Sequence, residues 1–316
     1  MRELANLGFI LIEYIFDFLR AIKWSKSSPL CPKEKKYYYE IILLAHTVEK
    51  GLSVTNPRMK FGKEKISKLL DFLDNYDFNW DLFPVEKSYG CLNEYIKLHE
   101  KNNIDLENIG TRIKSFLNKC EKNNLSLKGG TKIIVPDLKN YTFEEGLLSR
   151  YSSRQYEPKI VREETLNRII DIALRTPSQC NRQSGRIHYY SNKNQIDKLL
   201  RLQGGAEGFR EDVHNLFIIT SDMSAWSGFK ARSQSYVDGS LLCMQVLNAC
   251  FSLKISACPL NLAISNKKEL EICKVGNIPT NERLIMMISF GYSVEKEFLV
   301  AMSHRAEPIN LLTSHK

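Results

Sequence analysis

The stretch ALRTPSQCNRQSGRIHYY, residues 173–190, joins two periodicities. Upstream, REETLNRIIDIALRT places Leu166, Ile169, Ile170, Ala173 and Leu174 at helical spacing, with two acids in the first turn. Downstream, RIHYY reads as a strand. Pro177 stops the helix, and Ser178, Asn181 and Gln183 then offer hydroxyl and amide groups whose donors and acceptors suit a flat heterocycle. A solvated turn uses the same residues, so the neighbouring segments have to decide between the two readings.

Toward the C-terminus, helix and strand alternate. NLFIITS, residues 215–221, is a buried strand, and DGSLLCMQVLNACFSL, residues 238–253, is apolar nearly all round. Such a helix is covered on every side, inside the core or at a subunit interface. Then follow the short KISA, the polar helix NKKELEICKVG and the strand RLIMMISFGY. The alternation predicts an α+β, three-layer arrangement.

Toward the N-terminus, SRYSSRQY alternates Arg150, Ser152 and Arg154 before Pro158. Two guanidiniums and a hydroxyl within five residues can converge on one phosphate, although a solvated turn accommodates them equally. In SHRAEP, near the other end, Arg305 can also meet an anion. Residues 32–128 have a different texture, a Lys-rich set of short helices punctuated by Gly, Pro and Asn. Between the textures, LSLKGGTKIIVPDLKNYTFEEGLLS reads as a linker. The division is therefore an amphipathic helix over 1–28, a helical domain over 29–140 and an α+β domain over 141–316.

In the first segment Arg2, Asn6, Glu13, Asp17 and Arg20 share one side, opposite Leu4, Leu7, Leu11, Ile15, Phe18, Leu19 and Ile22. Its longest uncharged run, residues 4–12, is too short to span a bilayer. The apolar face packs on this protein or a partner, or lies on a membrane surface through residues 1–26 with Arg20, Lys23 and Lys26. With 316 residues, 43% of them hydrophobic, the chain can bury an ordinary core. The net charge of +9 is spread along the chain, and no nucleic-acid-binding signature accompanies it. Eight widely spaced cysteines without a C-x-x-C pair argue against a disulfide framework or zinc ribbon and fit a reduced cytoplasm.

In order and spacing, RYSSR (150–154), ALRTPSQCNRQ (173–183), the 238–258 helix and strand, the Pro-led strand ending in Gly-Tyr and the basic 303–305 segment resemble the nitroreductase-like flavoprotein family. The resemblance covers about residues 148–312. It implies an α/β/α sandwich with a mainly antiparallel central sheet, a homodimer, and FMN bound non-covalently at its interface. It also implies roles for individual residues. Arg150, Tyr151, Ser152 and Arg154 would hold the FMN phosphate and pyrimidine edge; Pro177, Ser178, Asn181 and Gln183 the ring and ribityl chain; and Arg305 the phosphate from the far side. Backbone groups of Ala257, Cys258 and Pro259 would face the flavin. NADH or NADPH would reduce it and an organic substrate would re-oxidise it, with no metal and no required side-chain acid or base. Two departures stand out: Ser184-Gly185 replaces the family's usual Pro-Trp, and QGGAEGFR (203–210) stands where a long helical lid is common, as a candidate mobile loop.

Other candidates have plainer readings. Cys180 is a small half-buried thiol rather than a nucleophile, and His188 a packed strand residue. His304 is placed to touch a phosphate or substrate. In AHTVEKGL, His46, Glu49 and Lys50 fall within about one turn before Gly51. They form a capped helix end with a solvated ion pair, or a lid or substrate contact that closes over the flavin with Arg58, Lys60 and Lys63. The functional expectation is a pathway-specific FMN oxidoreductase whose helical domain recognises a larger substrate. The rival is a non-catalytic dimeric module whose helices bind a partner or membrane.

Overall fold

The computed structural model describes residues 8, 10–12, 14–19, 22, 28–135, 141–226 and 231–315. Residues 10–12 and 14–19 are helical, and Leu11, Ile15, Phe18 and Leu19 are exposed. Arg2, Leu4, Asn6, Leu7, Glu13, Arg20, Lys23 and Lys26 lie outside the described residues. Among the described residues, no helix is long and apolar enough to cross a membrane. The contacts divide the chain into two compact units, one built on Val135–Glu297 and one on Phe16–Ile134 with Phe298–Lys316.

The first unit is the expected layered structure. Its helices are α5 (Phe143–Ser149), α6 (Glu163–Ala173), α7 (Lys193–Gln203), α8 (Gln234–Ser252) and α9 (Asn266–Gly276). Its strands are β2 (Gly185–Tyr190), β3 (Asn215–Asp222), β4 (Ile255–Asn261) and β5 (Glu282–Tyr292), antiparallel in the order β2-β3-β5-β4. LFII, residues 216–219, is a continuous apolar run because β3 is covered on both faces. Phe217 and Ile219 join a core with α6 and α8, where Phe217 stacks on Phe290 at 4.1 Å; Leu216 and Ile218 join a core with α7 and α9. Fully burying one such side chain contributes about 1.5–3 kcal/mol.

Within this chain, the apolar α8 is covered on one face only. Leu242, Cys243, Val246, Leu247 and Cys250 are buried, whereas Val237, Leu241 and Met244 are 50%, 44% and 42% exposed. Those three recur at helical spacing and form a second apolar stripe.

The second unit packs α1 (Lys33–Leu52), α2 (Lys63–Asp74), α3 (Phe83–Lys101) and α4 (Glu107–Lys122) around Ile41, Leu69, Leu92, Tyr95 and Ile113. Pro84 opens α3, where its missing N–H is no loss, so the helix begins earlier than its Lys-rich segment suggests. The presumed linker contains a strand. β1 (Thr131–Ile134) pairs antiparallel with β6 (Phe298–Ala301), Thr131 opposite Ala301, so the chain beyond residue 297 groups with the helices rather than with the 141–297 sheet. Glu94 receives both the Thr131 N–H and its hydroxyl at 2.8 Å, fixing the start of β1. Just before it, the backbone crosses α3 so closely that a side chain on Gly90 would meet the carbonyls of Lys128 and Gly129. Gly90→Ala is expected to destabilise this unit by about 1–3 kcal/mol, read as a lower denaturant midpoint with unchanged slope.

AHTVEKGL differs from a capped, solvated helix end. α1 continues through Gly51 to Leu52, and Gly51 instead makes room for the Phe61 ring. Glu49 is fully buried, accepting from Lys87 Nζ at 3.0 and 3.1 Å and meeting His46 Nδ1 at 2.8 Å. The loop 203–210 is anchored, with Ala206 and Phe209 in the core and the Gln203 side-chain amide donating to Asn261 O at 2.9 Å.

Candidate functional site

The turn between α6 and β2 is held in a narrow conformation. Cys180, Asn181 and Gln183 all have positive φ, at 51°, 54° and 50°. Non-glycine residues enter that region at a cost, and such strain clusters where a ligand is held. The restraints are visible. Ser178 Oγ accepts the Gln183 N–H at 2.9 Å, and Asp238 Oδ2, on the first turns of α8, accepts the Gln179 N–H at 3.0 Å. Asp238 is 5% exposed and also receives the Gln234 amide at 2.7 Å. Pro177, Asn181 and Gln183 are exposed and Ser178 half-buried, so their polar groups remain accessible from outside the unit. Ser184-Gly185 has a packing reason: Ser184 Oγ meets Ser221 Oγ at 2.9 Å, and a Cβ at Gly185 would lie 2.5 Å from Leu242.

The segment 150–156 lies against β4. The Ser153 N–H donates to Ala257 O at 3.1 Å, and Cys258 is buried. Tyr156 locks the segment from beneath, donating to Ser153 O at 2.6 Å and sharing a hydrogen bond with Ser289 Oγ at 2.9 Å. Burial holds its phenol well above the usual range, so it serves as a neutral strut. Arg150, Tyr151 and Ser152 are half-buried, while Arg154 is 7% exposed. Arg154 Nη1 is buried and meets no acceptor among the described residues. A buried guanidinium N–H without a partner costs free energy that an arriving anion or carbonyl acceptor would recover.

One chain does not bring these two clusters together. Tyr151 packs edge-on against Phe251, ring centroids 6.4 Å apart, near the C-terminal end of α8; the 178–183 turn is bound to Asp238 near its N-terminal end. From Asp238 to Phe251 the helix advances about 20 Å. The associated strands β2 and β4 are the two outer strands of the sheet. Pro259 lies further along β4, half-buried. Arg305 belongs to the other unit, exposed after β6, with its guanidinium turned to Ser303 O.

The remaining candidates separate readily. Cys180 is exposed rather than half-buried, because positive φ turns it outward on the strained turn. His188 is half-buried, its Nε2 2.7 Å from Glu282 Oε2, which also receives the Thr220 hydroxyl. His304 is exposed. Among the described residues, no group of three His, Cys, Asp or Glu could hold a metal. Sequence reasoning missed Asp238 and Tyr156. Nothing in DGSLL marks its aspartate as a buried anchor, and the tyrosine role emerges only when β5 comes alongside.

Residues 147–212 match the model of the Nitroreductase family. No curated protein sequence matches the chain. Among solved structures, the chain is similar to a Parabacteroides distasonis protein named for NADH dehydrogenase/NAD(P)H nitroreductase, with 16% identity over 55% of this chain and 98% of that one and a TM-score of 0.48. It is also similar to an FMN-dependent nitroreductase from Clostridium difficile, with 20% identity over 48% and 87% and a TM-score of 0.42. A nitroreductase family protein from Clostridium novyi shares 16% identity over 49% and 87%, with a TM-score of 0.44.

Proposed function

We propose that this chain, which carries the Nitroreductase family match across residues 147–212, is an FMN-dependent oxidoreductase acting as a homodimer, reduced by NADH or NADPH. The observation that carries the reading is the buried, unpartnered Nη1 of Arg154 beside Arg150 and Ser152. These donors suit a phosphate or the polar edge of the isoalloxazine, while Ser178, Asn181 and Gln183 offer amides and a hydroxyl that touch a ring without reacting. FMN would supply reversible hydride transfer at its N5. The protein's own contribution is to bind and orient, and no side-chain acid or base is assigned. Backbone groups of Ala257, Cys258 and Pro259 belong to the same edge as Arg154.

The separation of the clusters supports the dimer. Among the described residues, the stripe of Val237, Leu241 and Met244 stays half exposed. Two copies of α8 packed antiparallel through it would set the Asp238 end of one against the Phe251 end of the other. Each FMN would then sit between the 150–154 segment of one protomer and the 178–183 turn of its partner.

Purified protein incubated with FMN and desalted is expected to keep flavin absorbance near ~450 nm, bleached anaerobically by NADH or NADPH. A colourless protein would instead favour the interaction-module reading. The shared site has its own check. Arg150→Ala/Arg154→Met in one protomer and Ser178→Ala/Asn181→Ala in the other leave one intact site per mixed dimer. In mixed dimers isolated after co-expression, half the flavin sites should therefore fill, whereas either homodimer alone stays colourless; a colourless mixed dimer would place each site within one chain.

A further inference from the structure

The helical unit contains a cleft of about 470 Å³ that the flavin reading leaves unused. One wall is Thr47 and Val48 of α1; the other is the loop and first turn of α2 carrying Arg58, Lys60, Lys63 and Lys65, with Glu64 the acid among them. Outside the lining, Glu107 pairs with Lys60 Nζ at 3.1 Å and Lys63 Nζ at 3.6 Å. The balance around the cleft remains positive, and among the described residues no acid pairs with Arg58 or Lys65. The N-cap of α2, Gly62, brings no capping side chain, so the first N–H groups of the helix, on Lys63, Glu64 and Lys65, add donors at the same wall.

The cationic loop is secured from inside the bundle by side chains with no other evident task. His99, fully buried on α3, accepts the Lys60 N–H at Nε2, 2.9 Å, while its Nδ1 meets Tyr95 O at 2.8 Å. Tyr95, 1% exposed, donates its hydroxyl to Phe61 O at 3.0 Å and packs edge-on against the Phe61 ring at 5.1 Å. The other wall is tied to the same helix by the buried Glu49–Lys87 pair. Apolar residues in these buried places would stabilise a bundle at lower desolvation cost. What the polar set provides is position, holding the backbone of the Lys60–Phe61 loop against α3.

We infer that this cleft is a second binding site, independent of the flavin, for a small molecule bearing a phosphate or pyrophosphate ester. Its volume falls within the range of small-ligand pockets, Arg58 offers a forked donor, and the lysines and helix N–H groups offer additional positive ends to the remaining oxygens.

The test is isothermal titration of the full-length, FMN-loaded protein with inorganic pyrophosphate at low and at 0.15 M salt. Saturable binding is expected, weakened at least tenfold by Arg58→Ala/Lys65→Ala in the loaded protein and unchanged in the flavin-free Arg150→Ala/Arg154→Met protein. His99→Leu should weaken it while leaving all four cations in place, and retained helical circular dichroism would show that the unit still folds. Flavin content stays constant across the cleft variants, which separates this site from the other. No saturable binding, binding lost only with Arg150 and Arg154, or sedimentation with phosphatidic acid vesicles without a response to pyrophosphate would each overturn the inference.

Discussion

Lys87→Met is expected to destabilise the helical unit by about 3–5 kcal/mol, more than any single change to its apolar core methyls. The reason is what the substitution leaves behind. Glu49 has no solvent exposure, and its two carboxylate oxygens are satisfied by Lys87 Nζ and His46 Nδ1. Burial alone would raise the Glu49 carboxyl, but the His46 and Lys87 hydrogen bonds and charges outweigh it and hold the group below its ordinary value. Because the folded value is depressed, the pair's contribution is present above the unfolded carboxylate range and is lost as pH falls through the folded value. Without the lysine the balance reverses and Glu49 favours the neutral acid. The loss measured by urea denaturation should therefore be largest near pH 7 and shrink toward pH 5. A pH-independent loss would mean that Lys87 acts by packing alone. Glu49→Leu/Lys87→Met should recover most of the stability, since well-packed apolar residues replace a buried pair at little cost.

How much of this was legible in the sequence depended on whether the signal was local. α6, β2, β3 and β5 are readable because helical spacing, Pro177 and the unbroken apolar run of residues 216–219 are local signals. The β1 strand was read as linker because TKII is short and its partner, FLVA, lies 167 residues away; a pairing so remote leaves no trace in periodicity. Glu49 was read as solvated because a Lys follows it in the chain, whereas its partner is Lys87 across the bundle. Asp238 behaves similarly, its role set by a turn 59 residues upstream. The clusters 150–154 and 177–183 could be named from residue chemistry, but not their separation along α8. That separation is what the proposed two-chain site rests on.

Arg154→Met should separate binding from folding. If Arg154 were a structural residue, replacing a 7% exposed guanidinium would weaken the protein. Its Nη1, however, meets no acceptor, so the FMN-free protein already bears the cost of burying that N–H. Methionine keeps most of the aliphatic volume and removes the unsatisfied donor. The flavin-free variant is therefore expected to melt at the same temperature as the parent or slightly above it. With FMN the sign reverses. A charge-assisted hydrogen bond contributes about 1.5–3 kcal/mol, which is roughly a 10- to 150-fold loss in FMN affinity by fluorescence titration. Adding Arg150→Ala should extend the loss until no flavin survives desalting. The FMN-induced rise in melting temperature should shrink in step, because ligand stabilisation follows the ratio of ligand concentration to Kd. Thermal scans with and without FMN check both halves together. A flavin-free variant several degrees less stable, with unchanged FMN affinity, would make Arg154 a packing residue and move the phosphate and pyrimidine contacts elsewhere.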